Sequence, residues 1–299
     1  MPAISTISVI VCTRNRSQRL KGTLGSIAGL QVCPGWAWEL VVVDNHSTDD
    51  TKRVIEDFAA GSGVKVRYVW EGRKGLSHAR NAGIRAANGE IIAFTDDDVL
   101  LDPGWITQIA HESSEHASVA MYFGQTHLLR PDLPPIAIRE GDSPVTYRFP
   151  CSPSDPGSGN NMILRKAFFD SVGAFDTTLG AGTRLGAGED TDFTYRVLRS
   201  GGIVRYCPSI LAFHDHDRLS ARAVRKLMFV YGKGRGAFYC KHILARDSWA
   251  AKMFCWEFRD FLKATLRRGK GIKSLLHLSG LLVGFFMRLG MGREPLVEH

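Results

Sequence analysis

Up to position 95 the chain repeats one pattern: a short apolar run of strand length, then a stretch with helical spacing. The runs fall at 7–12, 39–43, 64–70 and 90–95, and Val and Ile dominate the first two. Between them, Leu20, Leu24, Ile27 and Leu30 recur at helical intervals, as do Val54, Ile55 and Phe58. The stretch 76–87 is rich in small residues and ends at Asn88-Gly89. Continuous apolar runs mark strands buried on both faces, and helices alternating with such strands mark βαβ units. The pattern therefore predicts an α/β fold, with a Rossmann-like, mostly parallel sheet flanked by helices.

Beyond Asp98 the pattern loosens. A helix is expected over 103–115 and a strand over 119–126. Residues 130–158 are rich in Pro, Gly, Ser and Asp and read as a long loop of the kind that often serves as a lid. A strand at 162–165 leads into a short helix from Lys166. Gly180, Gly182, Gly186 and Gly188 predict a mobile segment before a helix over 189–200. Two closing strands are expected at 203–206 and 210–213, followed by a helical, basic tail. The expected division is a catalytic domain over 1–217 and a basic helical extension over 218–299.

Charge supports that division. Residues 1–217 carry 21 Lys and Arg against 25 Asp and Glu, whereas 218–299 carry 17 against 5. A nucleic-acid binder with a uniformly basic surface would not be built so, and no nucleic-acid partner is expected. The basic tail suits an anionic surface, or is simply a solvated face. The six cysteines include no C-x-x-C pair, which argues against a disulfide framework and for a reducing compartment. The first apolar run is short and β-branched and reads as a strand rather than a signal peptide. A cytoplasmic location is the expectation.

In open α/β sheets, ligands bind beyond the carboxyl ends of the strands. There the sequence places Thr13-Arg14-Asn15, Asp44-Asn45-His46-Ser47 and Asp96-Asp97-Asp98. Asn45, Ser47 and Thr48 read as turn and capping residues, while Asp44 stands at the strand end itself. Three adjacent carboxylates repel one another unless a cation or solvent offsets them. Their hard oxygens suit Mg²⁺ or Mn²⁺ bridging a diphosphate; the alternative is a solvated acidic turn. Strand alternation would send Asp96 and Asp98 to one side and Asp97 to the other. Asp98 is then the first metal ligand, with Asp96 reaching a ribose or a metal-bound water.

At this point a family resemblance emerges. Ile7-Ser-Val-Ile-Val-Cys-Thr-Arg-Asn15, Glu39-Leu-Val-Val-Val-Asp-Asn-His-Ser-Thr-Asp49, Gly75-Leu-Ser-His-Ala-Arg-Asn-Ala-Gly83 and Phe94-Thr-Asp-Asp-Asp98 resemble glycosyltransferase family 2, in order and spacing. Gly159-Asn-Asn-Met162, Val172-Gly-Ala-Phe-Asp176 and Gly188-Glu-Asp-Thr-Asp-Phe193 extend the resemblance over 5–217. It implies a GT-A fold, a nucleoside-diphosphate sugar donor (usually UDP), a divalent metal, Mn²⁺ or Mg²⁺, and inversion at the anomeric carbon. By position, Thr13, Arg14 and Asn15 line the nucleotide pocket, Asp44 meets the base, and Lys74 lies near base and phosphates. Arg80 is either a neighbour of Lys74 there or a structural ion-pair partner.

Inverting transfer needs a base for the acceptor hydroxyl and charge stabilisation on the departing diphosphate. The resemblance puts Asp190 at the base position, with Glu189 orienting it or meeting the acceptor. On the residues alone, Glu189, Asp190 and Asp192 equally suit the N-terminus of a helix, which favours acids. His214, directly after the last strand, is a third metal-ligand candidate, preferred to His216; a plain surface histidine is the alternative. Donor choice is assigned to the 130–160 loop and Gly159-Asn160-Asn161. The acceptor is a saccharide or a lipid-linked one, chosen by the glycine-rich segment and the tail.

In the tail, Trp249, Phe254, Trp256, Phe258 and Phe261 mingle with Lys263, Arg267, Arg268, Lys270 and Lys273. Residues 275–291 are largely apolar. The stretch reads as an amphipathic segment on the inner leaflet of a membrane, or as helices packed on the body or on a second subunit. A sugar-phosphate nucleotidyltransferase is the rival enzyme class, but the glycine-rich phosphate loop it calls for is missing after the first strand. A non-catalytic nucleotide-sugar-binding relative is the other rival.

Overall fold

The computed structural model describes residues 5–217, 219–266 and 271–292; Arg267, Arg268 and Lys270 lie outside them. The repeat seen in the sequence comes first: β1 (Ser5–Thr13), α1 (Ser17–Ala28), β2 (Trp36–Asp44), α2 (Thr51–Gly61), β3 (Val66–Trp70), α3 (Leu76–Ala86) and β4 (Ile91–Asp96). Then follow β5 (Val99–Leu101), α4 (Trp105–Glu115), β6 (Val119–Leu128), β7 (Val145–Tyr147), β8 (Asn161–Arg165), α5 (Lys166–Val172), α6 (Glu189–Arg199) and β9 (Ile203–His214). Three helices end the described chain: α7 (Ala221–Leu244), α8 (Ser248–Leu266) and α9 (Gly271–Gly290).

The chain divides into two compact units. The first holds the residues up to Lys74, His78–Ala174 and Phe193–Asp217. The second holds Gly75–Ser77, Phe175–Asp192 and the tail. The glycine-rich segment thus groups with the tail helices.

In the first unit the strands form one sheet in the order β3-β2-β1-β4-β8-β6-β9-β5, with β7 on β9. The half built from the repeat, β3-β2-β1-β4, is wholly parallel. The other half is mixed: β8 runs antiparallel to both β4 and β6. The 130–158 loop contains no crossover helix, which parallel pairing of consecutive strands would need. Ile7, Val9, Val11, Leu40, Val42 and Ile91 are completely buried, and Leu20, Leu24 and Ile27 of α1 pack into the same core.

The two closing strands expected after 203 are one, β9. Its pairing with β6 jumps from Gly124↔Cys207 to Gln125↔Leu211, and Pro208, which has no amide to give to the ladder, sits in the jump. Asn161 bridges the irregularity: its Nδ2 donates to the carbonyls of Gln125 (3.0 Å) and Ile210 (2.9 Å). Its Oδ1 accepts from Trp105 Nε1 at 3.0 Å. A Cβ at position 124 would lie 2.2 Å from both Asn161 Nδ2 and the Ile210 oxygen, so only glycine fits. The structure therefore gives Asn161 a role inside the sheet.

In the second unit α7 and α9 approach backbone to backbone. A Cβ on Gly232 or Gly236 would fall 2.1 or 1.9 Å from carbonyl oxygens of α9. One on Gly280 or Gly284 would fall 2.2 or 1.8 Å from those of α7. On α8, Glu257 takes Arg235 at 2.5 Å, Tyr239 at 2.5 Å and His277 at 3.3 Å. A second buried knot joins Asp176 and Asp192 through Lys241 (3.0 and 2.8 Å), with His242 on Asp192 at 2.9 Å.

Candidate active site

Strand register gathers the candidate residues of the first unit. Thr13 pairs with Asp44 across β1 and β2, and Cys12 with Asp96 across β1 and β4. β4 ends at Asp96, so strand alternation stops there. Asp97 and Asp98 form the turn into β5, and both face one cation: Arg16 Nη1 lies 2.6 Å from Asp97 Oδ1 and Nη2 2.8 Å from Asp98 Oδ2. The expectation that Asp97 points away from Asp98 is thereby corrected. Thr13 Oγ1 also donates to Asp97 Oδ2 at 2.7 Å, so Thr13 is engaged within the acidic turn.

β5, which the sequence pattern did not suggest, brings in the histidine. It pairs antiparallel with β9 in a register that sets Val99 against His214. His214 Nε2 then stands 3.5 Å from Asp98 Oδ1, while its Nδ1 meets the Ile136 carbonyl at 3.1 Å. His216 is completely buried and directs its Nε2 at the Pro134 carbonyl, 2.9 Å away. The plain surface histidine is excluded for both.

The two buried carboxylates of the turn are driven apart. Burial pushes Asp97 up to about 7 against the pull of Arg16 and Thr13. Burial acts on Asp98 in the same sense, but His214 and Arg16 outweigh it and hold Asp98 well below the usual carboxylate range. Asp96 is the more open of the three, with 37% of its side chain exposed. Its cationic neighbour is Arg80, 3.7 Å away. Arg80 itself is buried, donates to the Gly159 carbonyl at 3.2 Å and lies over the Phe94 ring. Of the two roles open to Arg80, the structural one is what these contacts describe.

Asp44 is 1% exposed; Oδ1 accepts from the Ser47 amide (2.9 Å) and Oδ2 from the Tyr68 hydroxyl (3.1 Å). Each oxygen retains a lone pair for a further donor. Asn15 adopts φ 52° and accepts from the Thr48 amide at 2.7 Å, tying the β1 loop to the β2 loop. Arg14 keeps its Nε buried without a hydrogen-bond partner among the described residues, an unmet donor at the mouth of β1. Lys74 is exposed.

Among the described residues no three His, Cys, Asp or Glu side chains converge as a ready-made metal cage. A small hard cation can be held by one or two side chains, with phosphates and water completing its shell. Asp98 and His214 fit such a cation. The Ile136 carbonyl holds the proton on Nδ1, so loss of the Nε2 proton that Asp98 accepts would leave the lone pair a ligating histidine needs. A cavity of about 290 Å³ opens beside Asp98 and Asp215 along Gln18, Arg19 and Gly22 of α1, room for several waters.

In the second unit, Glu189 and Asp190 begin α6, with Asp192 in the same turn, so the helix-terminus preference for acids is satisfied. Glu189 is buried, and a Cβ on Gly180 would lie 3.2 Å from its carboxylate. Asp190 is half-buried and accepts from the Thr191 amide at 2.7 Å. The glycines ahead of them are turn formers: Gly180, Gly182, Gly186 and Gly188 all adopt φ between 81 and 96°, which side chains strain to reach. The segment is laced by Thr183 Oγ1 to the Gly180 carbonyl (2.8 Å) and the Leu76 amide to the Ala181 carbonyl (2.9 Å).

Sequence reasoning passed over Arg16. The signal was available: a second basic residue two positions after Arg14, at the mouth of the same strand.

A family model described as glycosyl transferase family 2 matches residues 8–170. The chain is 26% identical to the succinoglycan biosynthesis protein ExoM of Rhizobium meliloti, over 92% of this chain and 93% of that one. It is 27% identical to the pre-mycofactocin glycosyltransferase of Mycobacterium tuberculosis over 72% of its own length, spanning 44% of that longer protein. In fold it is similar to the mannosyltransferase PcManGT of Pyrobaculum calidifontis, solved with GDP-Man and Mn²⁺, with a TM-score of 0.62 at 16% identity over 96% of this chain and 88% of that one. Residues 1–349 of S. aureus TarS, solved with UDP-GlcNAc, align with a TM-score of 0.57 at 16% identity over 94% and 73%.

Proposed function

The chain belongs to glycosyltransferase family 2, and from that premise we propose that it transfers a sugar from a nucleoside-diphosphate donor, most simply a UDP-sugar, to a hydroxyl of a saccharide or lipid-linked acceptor with inversion. The observation that carries this reading is the meeting of Asp98 and His214 at the sheet edge that also holds Thr13, Arg14 and Asp44. PcManGT was solved with a guanosine donor and TarS with a uridine one, so the fold accepts either base.

In this reading Asp44 accepts from the base, Arg14 offers its unmet Nε to the nucleotide, and Asn15 and Lys74 border the same pocket. Asp96, the open member of the triplet, faces the ribose. Asp98 and His214 would hold Mn²⁺ or Mg²⁺, which would supply positive charge to offset that on the leaving diphosphate. The Asp190 carboxylate takes the acceptor hydroxyl proton as that oxygen attacks the anomeric carbon. The glycosidic bond to the diphosphate breaks, and the diphosphate leaves with its electron pair. Glu189, buried against Gly180, fixes the start of the helix that presents Asp190.

The test is a donor-turnover screen over UDP-, GDP- and other nucleotide sugars with Mn²⁺, comparing wild type with Asp98→Ala and Asp190→Asn. Turnover in wild type and loss in both variants is the expected result. Equal turnover in the variants refutes the assigned roles, and failure to bind any nucleotide removes the enzyme reading.

A further inference from the structure

Among the described residues, the outer face of α9 is the longest run of exposed large apolar side chains on one helix. Ile272, Leu275, Leu282, Val283, Phe286 and Leu289 are 65, 52, 37, 40, 65 and 45% exposed. At 100° per residue they fall within one stripe about a third of the helix circumference wide. Lys273 is the exposed charge on this helix, at its first turn; from Ser274 to the end of α9 the exposed side chains are apolar. By length and composition α9 is also long and apolar enough to cross a membrane.

Its inner face fixes how it sits. Gly280 and Gly284 bring α9 against the backbone of α7, with no room for a Cβ. Such contact draws its strength from close van der Waals packing, which persists where water is absent. Arg288 is buried and bonds Thr178 Oγ1 at 2.7 Å, with Asp176 at 3.7 Å, and His277 meets Glu257 at 3.3 Å. A helix tied along one side by buried polar partners is held to its unit and offers only the other side, which suits lying in a bilayer surface rather than crossing it.

The charges nearby select the occupant. Residues 218–299 carry 17 Lys and Arg against 5 Asp and Glu, and Asp260 is the exposed acid among the described residues of α8 and α9. Asp260 is already paired with Arg259 at 3.2 Å. A two-fold dimer through this surface would set like charges against each other, whereas an anionic headgroup layer complements them. The geometry points to α9 as a docking helix that seats the protein on an anionic bilayer, its apolar stripe at the acyl boundary and Lys273 of its first turn among the headgroups. A lipid-linked acceptor would meet the enzyme at that surface, but the docking stands whatever the acceptor proves to be.

The test is flotation of the full-length protein with phosphatidylglycerol–phosphatidylcholine vesicles and with pure phosphatidylcholine vesicles. Wild type should float with the anionic vesicles and much less with the neutral ones. The Leu282→Ser/Phe286→Ser variant, altered only at exposed positions, should bind at least tenfold more weakly, given the apolar area it withdraws. Its thermal melting and donor turnover, compared with wild type, establish that it folds. No flotation of wild type, or equal flotation of a folded variant, overturns the proposal. Sedimentation velocity without lipid gives the remaining outcome: a wild-type dimer that the same variant dissociates, without vesicle binding, would assign the stripe to a second copy and overturn the bilayer.

Discussion

His214 and Asp98 approach to 3.5 Å because a three-residue strand, β5, pairs antiparallel with the end of β9. The Ile136 carbonyl engages Nδ1, so the Nε2 that faces Asp98 carries a lone pair in the neutral ring. A histidine oriented in this way contributes to metal affinity both as a ligand and by fixing its own direction. His214→Ala is expected to weaken Mn²⁺ binding in the presence of UDP by at least about tenfold, read from the free-Mn²⁺ electron paramagnetic resonance signal. His216→Ala, which changes a histidine directed at Pro134, should leave Mn²⁺ affinity near the wild-type value.

Arg16 bridges Asp97 and Asp98, and the divalent cation proposed at Asp98 would compete with it there. Arg16→Met removes the compensating charge from two buried carboxylates. Arg16 is itself 36% exposed, which moderates the cost, and a loss of about 1–3 kcal/mol without metal is expected. The cation also loses a competitor. Melting curves with and without Mn²⁺ should show a lower metal-free midpoint for the variant and a larger gain on adding Mn²⁺. A gain equal to that of wild type would mean that Arg16 and the metal do not share a site.

Asp190 and Asp192 stand two residues apart on α6 and should fail in different ways. Asp192 is completely buried, with Lys241 at 2.8 Å and His242 at 2.9 Å. Asp192→Ala removes the carboxylate that Lys241 and His242 share and leaves Lys241 with Asp176 at 3.0 Å; it should cost about 1–3 kcal/mol, visible as a fallen urea midpoint. Asp190→Asn keeps the amide-accepting oxygen that meets Thr191. It should melt like wild type while its kcat falls by a factor of about 10²–10⁴. If both variants lose stability alike, Asp190 belongs to the fold and the base lies elsewhere.

The parts legible in the sequence were those set by local periodicity. The runs around Val9, Val41 and Ile92 announced three parallel strands, and their polar ends announced Thr13, Asp44 and Asp96 as neighbours. What periodicity cannot carry is pairing between segments far apart. β5 is three residues long and exists because β9 offers it an edge, so the reach of His214 to Asp98 was invisible. The triplet was treated as strand to its end, whereas Arg16 and Thr13 hold a turn there. The glycines of 180–188 adopt positive φ, a requirement that a sequence does not distinguish from mere freedom. Nothing in the sequence foretold the β9 irregularity that Asn161 repairs.

Glu71, at the mouth of β3, gives an acid-stability signature. The hydrogen bonds from Arg73 lower its carboxyl from 4.5 to about 2 in spite of burial. A depressed carboxylate contributes stability that is complete above pH 4.5 and disappears as pH falls towards 2. Glu71→Gln should therefore lie below wild type in urea midpoint at pH 6, and the gap should narrow between pH 4.5 and 2. A gap independent of pH would mean that the side chain acts by its shape and not by its charge.

Two glycines of α9 separate packing from propensity. A Cβ on Gly284 would stand 1.8 Å from the Lys233 carbonyl oxygen and 2.8 Å from its Cα, all backbone that moves only if α7 moves. A Cβ on Gly290 meets nothing within 4 Å. Gly284→Ala should lower stability by about 1–3 kcal/mol through forced separation of the helices. Gly290→Ala should be neutral or slightly stabilising, since alanine is the better helix former. Differential scanning calorimetry on the two variants checks this. Equal midpoints would show that α7 and α9 have slack between them, and the close backbone packing that fixes α9 in place would no longer be available to hold its apolar stripe outward.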